Sequence, residues 1–316
     1  MTTATSSRAY VCLEELLSLR HNAKGFSFLP RQPVHSLLTG RHASRLRGRG
    51  LDFEELRHYA EGDDTRTIDW LATARRGSPH VRVYTEERDR NVLLVVDQRL
   101  SMFFGSRRAM KSVVAAEAAA LAAFRVTSLG DRVGAIVFSE DAMTEIRPQA
   151  REAGVRLLLP EIVRQNHLLR ADSAFAPDPA LLNGALARAA RLANHDWLVV
   201  LISDASGADA QTIELVTRIT AHNDFLLVFV HDPLEAELPA IGRVVVSEAG
   251  RQIEVDLSAR DLRHGFASDF AARRERGVRF SLHHAIPVLP LSTHRGVAEQ
   301  LRELLGRQLE RRRRAA

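Results

Sequence analysis

The 316-residue chain has a single cysteine, Cys12, which excludes an intrachain disulfide and any thiolate zinc cluster drawn from one chain. A reducing compartment is the expectation. Aromatic residues make up only 6% of the sequence and none interleaves the arginine clusters, so the stacking platform that nucleic acid needs is missing. No run of about 18 uncharged apolar residues occurs, so no membrane span is expected. The opening "MTTATSSRAYVCLEELLSLRH" lacks the basic start and apolar stretch of an export signal, and a cytoplasmic location follows as an expectation. "GxxxxGK[ST]", "GxGxxG" after a strand, "HExxH" and "GxSxG" are all absent, so nucleotide binding, zincin chemistry and a hydrolase elbow have no support.

What is present is a globular composition, 45% hydrophobic and 26% charged. The formal charge of +5 is unevenly placed: Arg41, Arg45, Arg47 and Arg49 form one cluster, and Arg311 to Arg314 another. Such runs are usually solvated; contact with nucleic acid or an acidic partner is the lesser reading. The length allows one large domain with a smaller appendage.

From Asn91 onward, short apolar runs alternate with amphipathic or alanine-rich segments, which predicts an α/β fold with a doubly wound, mostly parallel sheet. Strands are expected at 92–96, 132–138, 197–203, 225–230 and 278–282, and helices at 108–128, 180–193, 208–221, 258–274 and 295–305. "AMTEIRP" reads as an antiparallel edge strand, 242–256 as a hairpin with "EAGR" at its turn, "CLEELLSLRH" as a short helix and "HVRVYTEE" as a strand. The expected division is an N-terminal α+β module over 1–90, a sheet domain over 91–307 and a basic tail over 308–316.

The charged stretch "FEELRHYAEGDDTRTIDW", then "TARRGSPHVRVYTEE", then the strand ending in Asp97 with "SMFFGS" and "MKS" beyond it, resembles the bacterial family known as domain of unknown function 58. That family is related to von Willebrand factor A domains, and the resemblance runs from Gly48 to the last helix. It implies a doubly wound sheet with a metal-ion-dependent adhesion site at the strand ends. It also implies action beside a MoxR-type AAA+ ATPase on a client protein, in assembly or activation.

The adhesion site implied by the resemblance uses Asp-x-Ser-x-Ser, a threonine and a late aspartate, hard oxygen ligands suited to magnesium or manganese. Asp97 matches the first aspartate, Ser101 the second serine and Asp204 the late aspartate. Arg99 stands where the first serine belongs, and no threonine is found, with Ala180, Asp178 and Ser173 nearest its place. Two carboxylates converging at strand ends repel unless something positive separates them. A guanidinium from Arg99 can do this bidentately. Alternatively, Arg99 points to solvent and a weakly held magnesium or manganese ion uses Asp97, Ser101, Asp204 and water. A third reading makes both aspartates simple loop or helix caps.

In "YAEGDDTRTIDWLATARRG", Gly62, Asp63 and Asp64 read as a tight turn. The spacing of Arg66, Asp69 and Arg75 predicts a local ion-pair network that packs Trp70 onto the main domain; the other reading is a partner surface. The leading expectation is a non-enzymatic adaptor whose degenerate adhesion site, Asp97, Arg99, Ser101 and Asp204, meets a partner. The alternatives are a metal-assisted hydrolase and anion or nucleic-acid binding through the arginine clusters.

Overall fold

The computed structural model describes residues 8–23, 51–86, 89–173, 178, 180–240, 242–248, 251–266, 268 and 286–305. The chain divides into two compact units, one holding residues 1–30 and 90–316, the other residues 31–89. The division departs from the expected 1–90 module in its first part. Val11, Leu16 and Ala23 are buried in the main core, so the segment before residue 24 folds with the sheet.

The larger unit carries a six-stranded sheet. In chain order its strands are β3 (Asn91–Asp97), β4 (Arg132–Phe138), β5 (Met143–Ala150), β6 (Leu198–Ser203), β7 (Asp224–His231) and β10 (Val288–Ser292). They lie in the order β10-β7-β6-β3-β4-β5, all parallel except the edge strand β5. The chain therefore winds outward from β3 in one direction and then returns to β6 on the other side. Between β3 and β6 lies the switch point, where open α/β sheets form a crevice beyond the carboxyl ends of their strands. A separate antiparallel hairpin joins β8 (Arg243–Glu248) and β9 (Arg251–Asp256), as the turn signal predicted.

Helices cover both faces, which explains why the central strands read as unbroken apolar runs. Val92, Leu94 and Val96 pack with α1 (Leu13–Ser18), α3 (Lys111–Ser128), α4 (Glu152–Asn166) and the helical residues 297–305. Leu93 and Val95 point the other way, onto α5 (Ala180–Leu192) and α6 (Ala210–Thr220). The alanine-rich α3 is buried around nearly its whole circumference, as a helix apolar on all sides must be. A short α7 (Pro233–Ala236) follows β7.

In the larger unit, α4 and β10 are among the elements that patterning did not predict. Gly154 and Pro160 are poor helix formers, yet α4 forms because Val155, Leu158, Leu159 and Ile162 bury against the sheet. β10, which carries Pro290, is an edge strand among the described residues, the position a sheet allows for a residue without an N–H. The expected strand at 278–282 lies outside the described residues, as do both arginine clusters; of the helix expected at 258–274, residues 260–266 are helical.

The smaller unit pairs β1 (Leu51–His58) with β2 (His80–Glu86) antiparallel and places α2 (Trp70–Arg76) between them in sequence. β1 reads in sequence only as part of a charged stretch. Among the described residues, no helix is long and apolar enough to cross a membrane.

Candidate functional site at the strand ends

Asp97 is the last residue of β3, and Asp204 directly follows β6, so the parallel register carries both side chains to the switch point. Arg99 folds back onto Asp97. Its Nε donates to Oδ1 at 3.0 Å and its Nη2 to Oδ2 at 2.7 Å, while its backbone N–H donates to Oδ1 at 3.0 Å. The Ser203 hydroxyl adds a fourth bond, to Oδ2 at 2.6 Å. Arg99 is only 3% exposed, also donates to the Ser206 carbonyl at 3.1 Å, and lies 4.0 Å from Asp204 Oδ1. Its guanidinium carbon sits 5.5 Å from the centre of the Phe138 ring.

Asp204 has a cation of its own. Lys111 Nζ donates to Asp204 Oδ2 at 2.8 Å and to Glu235 Oε1 at 2.8 Å, with the lysine 2% exposed. Burial works against the ammonium, but the charges of Asp204 and Glu235 outweigh it and hold the lysine above its ordinary pKa. Burial likewise works against the Asp204 carboxylate, and Lys111 outweighs it, so Asp204 stays below the usual carboxylate range. Lys111 is the first residue of α3, where the helix dipole disfavours a cation. The two buried carboxylates offset that cost.

The result is one chain of alternating charge: Asp97, Arg99, Asp204, Lys111, Glu235. Further acids frame it. Asp232, just past β7, accepts from Ser106 N at 2.8 Å, from Ser106 Oγ at 2.7 Å, from Leu234 N at 2.9 Å and from the Thr293 hydroxyl. Glu140, past β4, accepts the Leu100 N–H through both oxygens at 2.8 and 2.9 Å. Burial and the nearby Asp97 push the Glu140 carboxyl upward against that bond.

Over this network lies the loop from Phe103 to Met110. Gly105 is obligatory there, because a Cβ would sit 2.2 Å from the Ala109 carbonyl oxygen. Arg8 pairs with the same loop through Arg8 N to Arg108 O and Met110 N to Arg8 O, both 2.9 Å. Phe104, held between these restraints, is 40% exposed. Its carbonyl accepts from Lys111 N, and its ring centre lies 5.9 Å from Lys111 Nζ.

Comparison with known proteins places this arrangement. The family described as "Protein of unknown function DUF58" matches residues 55–276, a span that includes Asp97, Arg99, Lys111, Asp204 and Glu235. The chain belongs to this family. This DUF58 protein is 32% identical over 273 residues to uncharacterized proteins of Mycobacterium bovis and Mycobacterium tuberculosis, covering 84% of this chain and 82% of theirs. Among solved structures, it is similar to the conserved hypothetical protein BatB from Bacteroides thetaiotaomicron. That likeness has a TM-score of 0.41 and 13% identity, over 70% of this chain and 99% of that chain.

The donor set of the DUF58 chain does not fit a divalent cation. Both Asp97 oxygens are taken by Arg99, and Asp204 is taken by Lys111 and by Ser206 N at 2.9 Å. A cation would have to displace a guanidinium and stand beside an ammonium. Ser101 does not join the network; its hydroxyl is buried with no hydrogen-bond partner. Asp178 accepts the Ala180 N–H at 2.9 Å and so caps α5. The reading with Arg99 turned to solvent is corrected by the same contacts. Lys111 and Glu235 are the residues that sequence reasoning missed, and the available signal was a lysine opening an alanine-rich, otherwise apolar helix.

In the smaller unit the turn is as expected, with Gly62 at φ +102°. Asp63 accepts the Ala60 N–H and binds Arg57 bidentately, both guanidinium contacts at 2.7 Å. Asp64 accepts the Arg66 N–H at 3.0 Å. The expected network of Arg66, Asp69 and Arg75 is not formed. Asp69 instead caps α2 through the Leu71 and Ala72 N–H groups and pairs with Arg82 at 2.8 Å across to β2. Arg66 and Arg75 make no ion pair among the described residues. Trp70 is 71% exposed.

Proposed function

We propose that this chain is a non-enzymatic, von Willebrand A-like interaction module acting beside a MoxR-type AAA+ ATPase in the assembly or activation of a client protein. The observation that carries the reading is that fixed cations of the chain engage both strand-end aspartates. Arg99 and Lys111 satisfy the strand-end aspartates internally, so the loops keep their shape without a cofactor. A site built for hydrolysis would leave a base free or a metal position open; here Asp97 and Asp204 are both engaged by cations.

The contact with the partner is assigned to the rim rather than to Arg99, whose guanidinium is buried and committed. Phe104 is the anchor, an aromatic side chain on a restrained loop, with the exposed Arg107 three residues along. Trp70 and Leu71, both exposed on α2, are a second aromatic-apolar pair of the kind that interfaces use.

The test is a binding titration between the full chain and the MoxR-type ATPase of the same organism. Phe104→Ala combined with Arg107→Ala should weaken binding by about tenfold or more while leaving the melting temperature unchanged. Equal affinity of the folded double variant would remove this face from the interface, and no binding by the wild type would remove the ATPase.

A further inference from the structure

A second surface lies away from the strand ends, on the outer side of α5 and α6. A groove of about 500 Å³ runs between these helices over a floor of Met143, Gly184 and Leu215, and three arginines, Arg188, Arg191 and Arg218, rim it. A second hollow of about 400 Å³ shares Arg218 and continues past the helix ends to His195 and His222. Those histidines precede β6 and β7, so the groove leads toward the amino-terminal ends of the parallel strands, opposite the end that carries Asp97 and Asp204.

The charge on this groove is of one sign, with three arginines converging on it. Several arginines of the larger unit are matched to carboxylates: Arg156 with Glu152 and Arg164 with Glu161 on α4, Arg90 with Asp224, Arg108 with Glu117. Among the described residues, Arg188, Arg191 and Arg218 have no such partner and no aspartate or glutamate lines either hollow. Three unmatched guanidinium groups over one groove raise the local potential, which an acidic partner would lower.

The floor narrows the choice of partner. A free phosphate needs no apolar floor, and a nucleic acid stacks on aromatic rings, whereas the floor here is aliphatic. Gly184, with only the Met143 methyl within 4 Å of where its Cβ would be, leaves room for a side chain to enter. Along α5 from Gly184 to Leu192 the groove extends roughly 12 Å, a little over two helical turns. We infer that the α5–α6 groove docks an amphipathic helix of a partner protein, apolar along one stripe and acidic on its flanks. This is the helix-in-groove mode of recognition. It is independent of the strand-end interface proposed above.

The probe is a fluorescein-labelled peptide of about fourteen residues, with leucines at helical i, i+3 and i+4 spacing and flanking glutamates, titrated with the full chain by anisotropy. A peptide of the same composition in scrambled order and a single-stranded oligonucleotide serve as competitors. Saturable binding is expected, with the scrambled peptide about tenfold weaker. Arg191→Glu/Arg218→Glu should abolish binding, and Gly184→Leu, which fills the floor without touching charge, should weaken it about tenfold. Melting curves of each variant establish folding, and loss of a fold in one leaves the other to decide. Absence of saturable binding, equal affinity for ordered and scrambled peptides, or stronger binding of the oligonucleotide would each overturn the assignment. Phe104→Ala/Arg107→Ala should bind the peptide like wild type, which separates this groove from the strand-end face.

Discussion

Lys111 and Asp204, 93 residues apart in sequence, meet at 2.8 Å in the interior of the larger unit. The pair couples the start of α3 to the end of β6, and Glu235 draws in α7 after β7. Lys111→Met should therefore leave two buried carboxylates without their shared cation, a change that costs about 3–5 kcal/mol. Urea unfolding should show a lower midpoint at unchanged slope. Adding Asp204→Asn and Glu235→Gln should restore part of the loss; strictly additive losses would mean the three do not act as one unit.

Arg99 predicts the response to metals. The wild-type chain should show no thermal shift with magnesium or manganese at about 10 mM, since binding at a hundredfold excess over Kd would add about 2.7 kcal/mol and be visible. Arg99→Ser removes the guanidinium and restores a hydroxyl, so it should unfold at lower temperature and recover part of that loss when metal is added. A metal-dependent rise in the wild type would return the site to the adhesion class.

Acid should act on the network through Asp204. Burial raises its pKa, but the Lys111 charge and hydrogen bond more than offset this, and the folded value lies below the unfolded one. Its stabilising contribution is then complete above the unfolded carboxylate value near about 4 and is lost as pH falls through the folded value. Lys111→Met should flatten this acid limb in denaturation curves collected from neutral pH downward. An unchanged acid limb would separate the ion pair from acid stability.

Glu140 carries the opposite sign. Burial first, and Asp97 after it, raise its carboxyl above the unfolded value despite the Leu100 N–H. Its contribution is present below the ordinary glutamate value and fades as pH rises through the raised one. Glu140→Gln should thus gain stability relative to wild type as pH moves from about 4 to 7. A constant difference between the two proteins over that range would show that the group does not titrate there.

Gly105→Ala would force a methyl group into the Ala109 carbonyl, 2.2 Å away, and onto Met110 Cα at 2.7 Å. Backbone must move, at about 1–3 kcal/mol. Gly296→Ala, where nothing lies within 4 Å, is the control and should change stability by no more than about 0.5 kcal/mol. Equal melting temperatures for the two variants would show that the Phe104 loop has slack.

Periodicity alone located most of the sheet. "NVLLVVD", "RVGAIVF" and "LVVLIS" are buried on both faces, and hydrophobic patterning is a local property that a sequence displays directly. The same patterning put Asp97 and Asp204 at strand ends, and the family resemblance marked Arg99 as the residue at odds with a metal. What no local pattern contains is which distant charges meet. α4 and β10 form against their own glycine and proline because burial outweighs propensity, and burial exists only once the sheet is assembled. Lys111 finds Asp204 and Glu235 because strand order brings three loops to one switch point. The sequence determined the strands and the aspartates at their ends. The tertiary fold decided that Arg99 and Lys111 pair with those aspartates, since charge pairing in the interior depends on distance and desolvation and not on spacing along the chain.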